Sequence, residues 1–110
     1  MNMNKIEEKI FELRIYTVVP EYYPELLELW EDEGKHIIKK HMNCVAIWNS
    51  ESGYLNKIFH LYEWKNYEER EASRLSFYSD DNAKEYVKKV KPFYQSQESY
   101  ILKSLDFLLQ

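Results

Sequence analysis

The sequence predicts an α+β domain with the element order βαββαβ. Three patterns predict it. Residues 11–17 alternate with a two-residue period, an apolar stripe at helical spacing follows Pro20, and a β-prone segment entered through Gly53 runs straight into a capped, charge-rich helix.

In the first of these, Phe11, Leu13 and Ile15 alternate with Glu12, Arg14 and Tyr16, as a strand with two unlike faces requires. After Pro20, the residues Tyr23, Leu26, Leu27, Trp30, Ile37 and Ile38 fall on one stripe and predict a long amphipathic helix. Gly34 lies on the same stripe, where a missing side chain makes either a packing notch or a ligand notch. Residues 42–50 are β-prone, and Glu51, Ser52 and Gly53 supply turn chemistry, so 42–50 and 56–64 read as a hairpin. Asn66 is placed to cap the next helix, with Glu69 at its third position. Ser79, Asp80 and Asp81 look like a second cap that breaks this helical region. Beyond it Ala83, Tyr86, Val87 and Val90 form a stripe ending at Pro92. Alternation over 98–105 gives the fourth strand.

With right-handed crossovers, this order folds most simply as a four-stranded antiparallel sheet with the helices on one face, the ferredoxin-like arrangement. The fourth strand then lies beside the first. Periodicity assigns Phe11, Leu13, Ile15, Val45 and Ile47 to the covered face, leaving Tyr16, Trp48 and further aromatics on the uncovered one. An aromatic patch of that size seldom stays in water, and a homodimer with its two sheets face to face would hide it.

Length and composition agree. A chain of 110 residues fits one domain, with residues 1–8 read as an N-terminal tail and 9–110 as the domain. Apolar types make up 45% of residues and aromatics 16%, which excludes a disordered chain. The net charge of -4 argues against a phosphate backbone as partner, and Lys84, Lys88, Lys89 and Lys91 read as a solvated helix face. Cys44 is the only cysteine, so a disulfide within the chain and a Cys-rich metal site are excluded, as suits a reducing cytoplasm. No apolar run approaches a membrane span, and the first residues do not resemble a secretory signal.

Taken together, several features resemble the NIPSNAP family of small dimeric α+β barrel proteins. They are Phe11 to Thr17 in the first strand and the helix that passes Gly34 and continues through His41. Gly53 followed by Leu55, Asn56 and His60, then Arg70 with Arg74, and Glu98 with Ile101 and Leu102 complete them. The likeness covers residues 10–105. Departures are Tyr62 and Trp64, where the family tends to have Trp and then an aromatic, and Asn43, where glycine is common. The resemblance implies a ferredoxin-like protomer and a dimer, but no agreed activity. Related dimeric barrels include cofactor-independent monooxygenases, haem-degrading enzymes, dismutases and isomerases, so enzyme and binder both stand.

Among candidate site residues, His60 would titrate near neutral pH and could shuttle a proton, or else be a bonded structural histidine. Arg14 and Tyr16 share a face; Arg14 either holds a ligand anion or, as favoured, pairs internally with Glu98. Trp48, Asn56 and Tyr62 complete the expected ligand-binding set, though strand aromatics also serve cores and interfaces. His36 and His41 are five apart, about 140° round a helix, so no metal site is expected. With only two glycines, Gly34 and Gly53, neither a P-loop nor a dinucleotide fingerprint can be built, and no cofactor is expected. The leading reading is a cytoplasmic homodimer binding a small, partly aromatic or anionic molecule between sheet and helices. The rivals are a cofactor-independent oxygenase or isomerase using His60, and a non-catalytic interaction module.

Overall fold

A computed structural model describes residues 9–105; the expected tail at 1–8 and residues 106–110 lie outside them. Four strands, β1 (Ile10–Val18), β2 (Cys44–Asn49), β3 (Lys57–Trp64) and β4 (Tyr94–Lys103), form one sheet in the order β2-β3-β1-β4. Each neighbouring pair is antiparallel. This is the predicted ferredoxin-like arrangement, with β4 beside β1. β4 begins earlier than its alternation suggested, because a short 3-10 turn (Lys91–Phe93) opened by Lys91 and Pro92 ends at Phe93 and the chain extends from Tyr94.

The first helical region runs through α1 (Tyr23–Leu29), a π-helical stretch (Trp30–Gly34) and α2 (Lys35–His41). Trp30 and Lys35 keep right-handed helical dihedrals at the junctions, so this is one rod with a π turn inside it. The second region is broken as predicted, into α3 (Tyr67–Ser79) and α4 (Asp81–Val90). The Asn66 side chain accepts from the Glu69 N–H at 2.8 Å, and Asp80 accepts from the Asn82 N–H at 2.8 Å. Each cap satisfies a donor that the helix start leaves unpaired.

The helices cover the sheet face that carries Ile10, Val18, Ile58, Tyr62 and Trp64. Ile38, Phe77 and Ala83 pack on its Ile10–Trp64 end, and Leu26, Tyr86 and Val90 on its Val18–Ile58 end. The face assignment from periodicity is therefore reversed in β1. Glu12, Arg14 and Tyr16 lie on the covered face, while Phe11, Leu13 and Ile15 share the open face with Phe59, Leu61, Tyr100 and Leu102. The physical reason is mutual satisfaction: the polar residues bond one another inside, so a rule that puts polar residues outside reads the strand upside down. Trp48 pairs in register with Phe59 on the open face and Ile47 with His60 on the helix side, both as expected, although the strand carries a bulge after Cys44.

Gly34 is a packing notch. A Cβ there would collide with the Tyr86 ring, 2.5 Å from its Cζ, and stand 2.8 Å from Trp30 Cε3. Gly34→Ala is expected to lower stability by about 1–3 kcal/mol, the cost of overpacking a filled site. A urea titration showing an unchanged midpoint would refute the notch.

Candidate functional site

Register assembles the site. Glu12 stands opposite Tyr62, Arg14 opposite His60, and Tyr16 opposite Ile58; on the other side Arg14 faces Ser99 and Tyr16 faces Gln97. Above these side chains lies a cavity of about 260 Å³ between the sheet and the helices. Arg14, Tyr16, His60 and Tyr62 form its floor, and Trp30, Tyr86 and Tyr94 belong to its aromatic wall.

Glu12 is the centre of the polar network, although it is 1% exposed. Arg70 reaches it from α3 with a two-pronged contact, Nε to Oε1 at 2.9 Å and Nη2 to Oε2 at 3.1 Å. The Trp64 indole donates to Oε1 at 3.3 Å, Ser99 Oγ donates to Oε2 at 2.9 Å, and Arg14 Nη1 donates to Oε2 at 3.2 Å. Burial by itself would raise the carboxyl's pKa. The Arg70 and Ser99 hydrogen bonds and the charges of Arg70 and Arg14 outweigh it, holding the group down at about 2. Glu12 is thus an ionised, saturated acceptor and a poor candidate for proton transfer.

Arg14 has different surroundings. Its Nε donates to the Tyr16 hydroxyl at 2.8 Å and its Nη1 to Glu12, while Nη2 has no hydrogen bond among the described residues. Burial works against its charge, but Tyr16 and Glu12 more than compensate and raise its pKa. The favoured Arg14–Glu98 pair does not form. Register sets Glu98 beside Ile15, on the open face, whereas Arg14 points the other way. One residue of offset in a strand decides between the two faces.

His60 is buried with its ring 4.9 Å from that of Tyr16 and 5.2 Å from that of Trp30, edge-on to the indole. The π turn begins at Trp30, and such turns commonly re-aim side chains at functional sites. His60 Nδ1 and the Tyr62 hydroxyl share a 3.0 Å hydrogen bond. The expectation that His60 titrates near neutrality is overturned: burial, and then the Arg14 charge, push it down to about 4. At neutral pH it is a neutral imidazole. Burial likewise pushes the Tyr16, Tyr62, Tyr86 and Tyr94 phenols up, so they too are neutral.

Four residues of the expected set, Arg14, Tyr16, His60 and Tyr62, come together around the cavity. Trp48 and Glu98 lie on the opposite face of the sheet. Asn56 sits in the β2–β3 loop with a left-handed φ of 64°, and its carbonyl accepts the Val18 N–H at 2.8 Å. Glu12, Arg70, Trp64 and Ser99 were missed as a network. The available signal was a strand glutamate in a chain with only three arginines, Arg14, Arg70 and Arg74.

His41 joins α2 to the α3–α4 junction. Its Nδ1 meets Ser76 Oγ at 2.7 Å and its Nε2 meets Asp80 Oδ2 at 2.7 Å. The trio has the composition of a hydrolytic triad but not its setting. Ser76 lies inside α3, whose backbone N–H groups are engaged by the helix's own bonds, and it does not line the cavity. Its role is to fasten helices. Among the described residues no group of three or more His, Cys, Asp or Glu could hold a metal ion, and no helix is long and apolar enough to cross a membrane.

The fold and the site define a ferredoxin-like α+β protein with an aromatic-walled, polar-floored cavity between sheet and helices. A family model described as NIPSNAP matches residues 11–109, and the chain belongs to the NIPSNAP family. It is similar to a solved, uncharacterised NIPSNAP domain protein from Burkholderia xenovorans, with 28% identity, 89% of this chain and 96% of that chain covered, and a TM-score of 0.84. A NIPSNAP family protein of unknown function from Agrobacterium tumefaciens is 26% identical, with 89% of each chain covered and a TM-score of 0.83. A putative antibiotic biosynthesis monooxygenase from Bacteriodes thetaiotaomicron shares the fold at 13% identity, covering 91% of this chain and 92% of that one with a TM-score of 0.68. No protein with a curated description matches the chain.

The state of His60 predicts a pH dependence. In the unfolded chain it takes up a proton at its ordinary value of 6.5, but in the folded one only at about 4, so acid favours unfolding within this window. Relative to His60→Gln, the wild type is expected to lose roughly 3 kcal/mol of stability as pH falls from 6.5 to 4. Parallel stability curves in denaturant titrations would contradict this.

Proposed function

We propose that this NIPSNAP family member is a cytoplasmic homodimer that binds a small organic ligand in the cavity between sheet and helices. The observation that carries the reading is a cavity of about 260 Å³ whose floor is polar and whose walls are aromatic. Pockets for drug-sized ligands run to roughly 300–1,000 Å³ and combine apolar walls with a few placed polar groups. This one suits a compact, single-ring compound. A module acting purely through its surface has no use for such a space.

The open sheet face supports the dimer. Phe11, Leu13, Ile15, Phe59 and Leu61 form its centre, with Trp48 at 51% and Tyr100 at 49% exposure beside them. A continuous apolar patch of this kind marks an association surface, and a two-fold contact needs only one self-complementary patch.

The alternative, an oxygenase or isomerase with His60 as proton shuttle, is favoured by the position of His60 in the cavity floor and weakened by its low pKa. A base pushed down to about 4 has little drive to remove a proton at neutral pH.

Sedimentation at micromolar concentration is expected to give twice the 13.5 kDa of one chain, and Leu13→Asp to return the mass to one. In thermal shift against a panel of small cyclic metabolites, charged and neutral, at least one compound should raise the melting temperature by several degrees, since a ligand at a hundredfold its Kd adds about 2.7 kcal/mol. A single-chain mass removes the dimer, and a flat panel removes the ligand.

A further inference from the structure

The charge around the cavity floor does not balance. Two guanidinium groups, Arg14 and Arg70, meet the one buried carboxylate of Glu12. Arg70 takes the better share with its two-pronged contact, whereas Arg14 has a single contact at 3.2 Å to an oxygen that already accepts from Arg70 and Ser99. Arg70 has a second acidic neighbour, Glu71, at 3.0 Å, but that side chain is 71% exposed. Water screens it, and its contact is to Arg70 on the helix, not to Arg14 in the strand. His60 and the surrounding tyrosines are neutral. The remaining charged side chains lining the cavity, Arg74 and Lys91, are both cationic. The floor therefore carries an excess positive charge centred on Arg14.

Hydrogen bonding points the same way. Because Arg14 Nε donates to the Tyr16 oxygen, the Tyr16 proton remains to be donated elsewhere, and Arg14 Nη2 has no partner among the described residues. Two adjacent groups on the cavity floor thus offer protons and lack acceptors. The Arg14 side chain is 20% exposed, so its free donor is accessible from the cavity, where an anion gains a charge-assisted hydrogen bond.

We propose that the cavity is a site for a small cyclic monocarboxylate, its two oxygens accepting from Arg14 Nη2 and the Tyr16 hydroxyl while its ring lies against Trp30, Tyr86 and Tyr94. This rests on the ligand-binding reading above and narrows it to one chemical class. The floor itself has its excess charge at one place, Arg14, which calls for one carboxylate there, and the volume limits the ligand to about one ring. A planar carboxylate also matches the planar guanidinium in a way that a neutral amide, which must turn an NH2 toward one of the donors, does not.

The test compares benzoate, 4-hydroxybenzoate and cyclohexanecarboxylate with their primary amides by thermal shift and isothermal calorimetry, on the wild type and on Arg14→Met. At least one acid is expected to bind the wild type about ten- to hundredfold more tightly than its amide. Arg14→Met is expected to lose that preference while its own melting temperature stays level or rises, because an unbalanced charge has gone. If no acid and no amide binds, the ligand-binding reading fails and this one with it. If acids and amides bind equally, the cavity binds ligands but the charge inference is wrong. Acid preference retained in Arg14→Met would overturn the assignment to Arg14. A marked fall in that variant's melting temperature would show that Glu12 already neutralises the guanidinium, and would overturn the argument from excess charge.

Discussion

The carboxylate of Glu12 is the constraint on which the rest of the site depends. It ties the middle of β1 to α3 through Arg70, to the end of β3 through Trp64, and to β4 through Ser99. Three strands and a helix meet at one group. A buried ionised carboxylate is tolerable only when its oxygens are filled, and here five hydrogen bonds from Arg70, Trp64, Ser99 and Arg14 fill them. Removing Arg70, which supplies the two-pronged ion pair, costs about 3–5 kcal/mol, because the Glu12 charge is left stranded. The network also fixes Arg14 beside the cavity, and the Arg14 charge in turn helps keep His60 neutral.

The sheet consequently has two faces of different character. On one side, Glu12, Arg14, Tyr16, His60 and Tyr62 make a polar layer under the helices, closed in by Trp30 and Tyr86. On the other, Phe11, Leu13, Ile15, Phe59 and Leu61 are nearly all hydrocarbon and have no helix over them. The second face therefore offers apolar area that a partner would bury, and the first offers hydrogen-bonding groups held in fixed geometry. The proposed assembly and the proposed ligand use opposite sides of the same four strands, so a change on one side, such as at Leu13, leaves the composition of the other intact.

The order of elements, the antiparallel sheet with β4 beside β1, the caps at Asn66 and Asp80, and the notch at Gly34 were legible because each rests on local chemistry. Alternation, capping oxygens and a missing Cβ act within a few residues. The covered face of β1 was not legible. Phe11, Leu13 and Ile15 have the stronger apolar signal, and only the partners of Glu12 and Arg14, supplied from 58 and 87 residues away by Arg70 and Ser99, make the polar set the inner one. Arg14, Tyr16, His60 and Tyr62 could be nominated by residue type and strand position. Placing Trp48 and Glu98 on the far face required register, and the bulge after Cys44 and the early start of β4 could not be counted from the chain. The low pKa of His60 depends on depth and on the Arg14 charge across the β1–β3 pair, neither of which a single strand displays.

The account stands or falls on whether Glu12 is a buried, ionised hub. NMR titration of the carboxyl carbon of Glu12, assigned by comparison with Glu12→Gln, measures this directly. The group is predicted to remain ionised as the pH passes its ordinary value of 4.5 and to titrate only near 2. A midpoint at or above 4.5 would mean that the hydrogen bonds and the arginine charges do not outweigh burial, and the account of Glu12 as a firmly ionised hub would not survive that result.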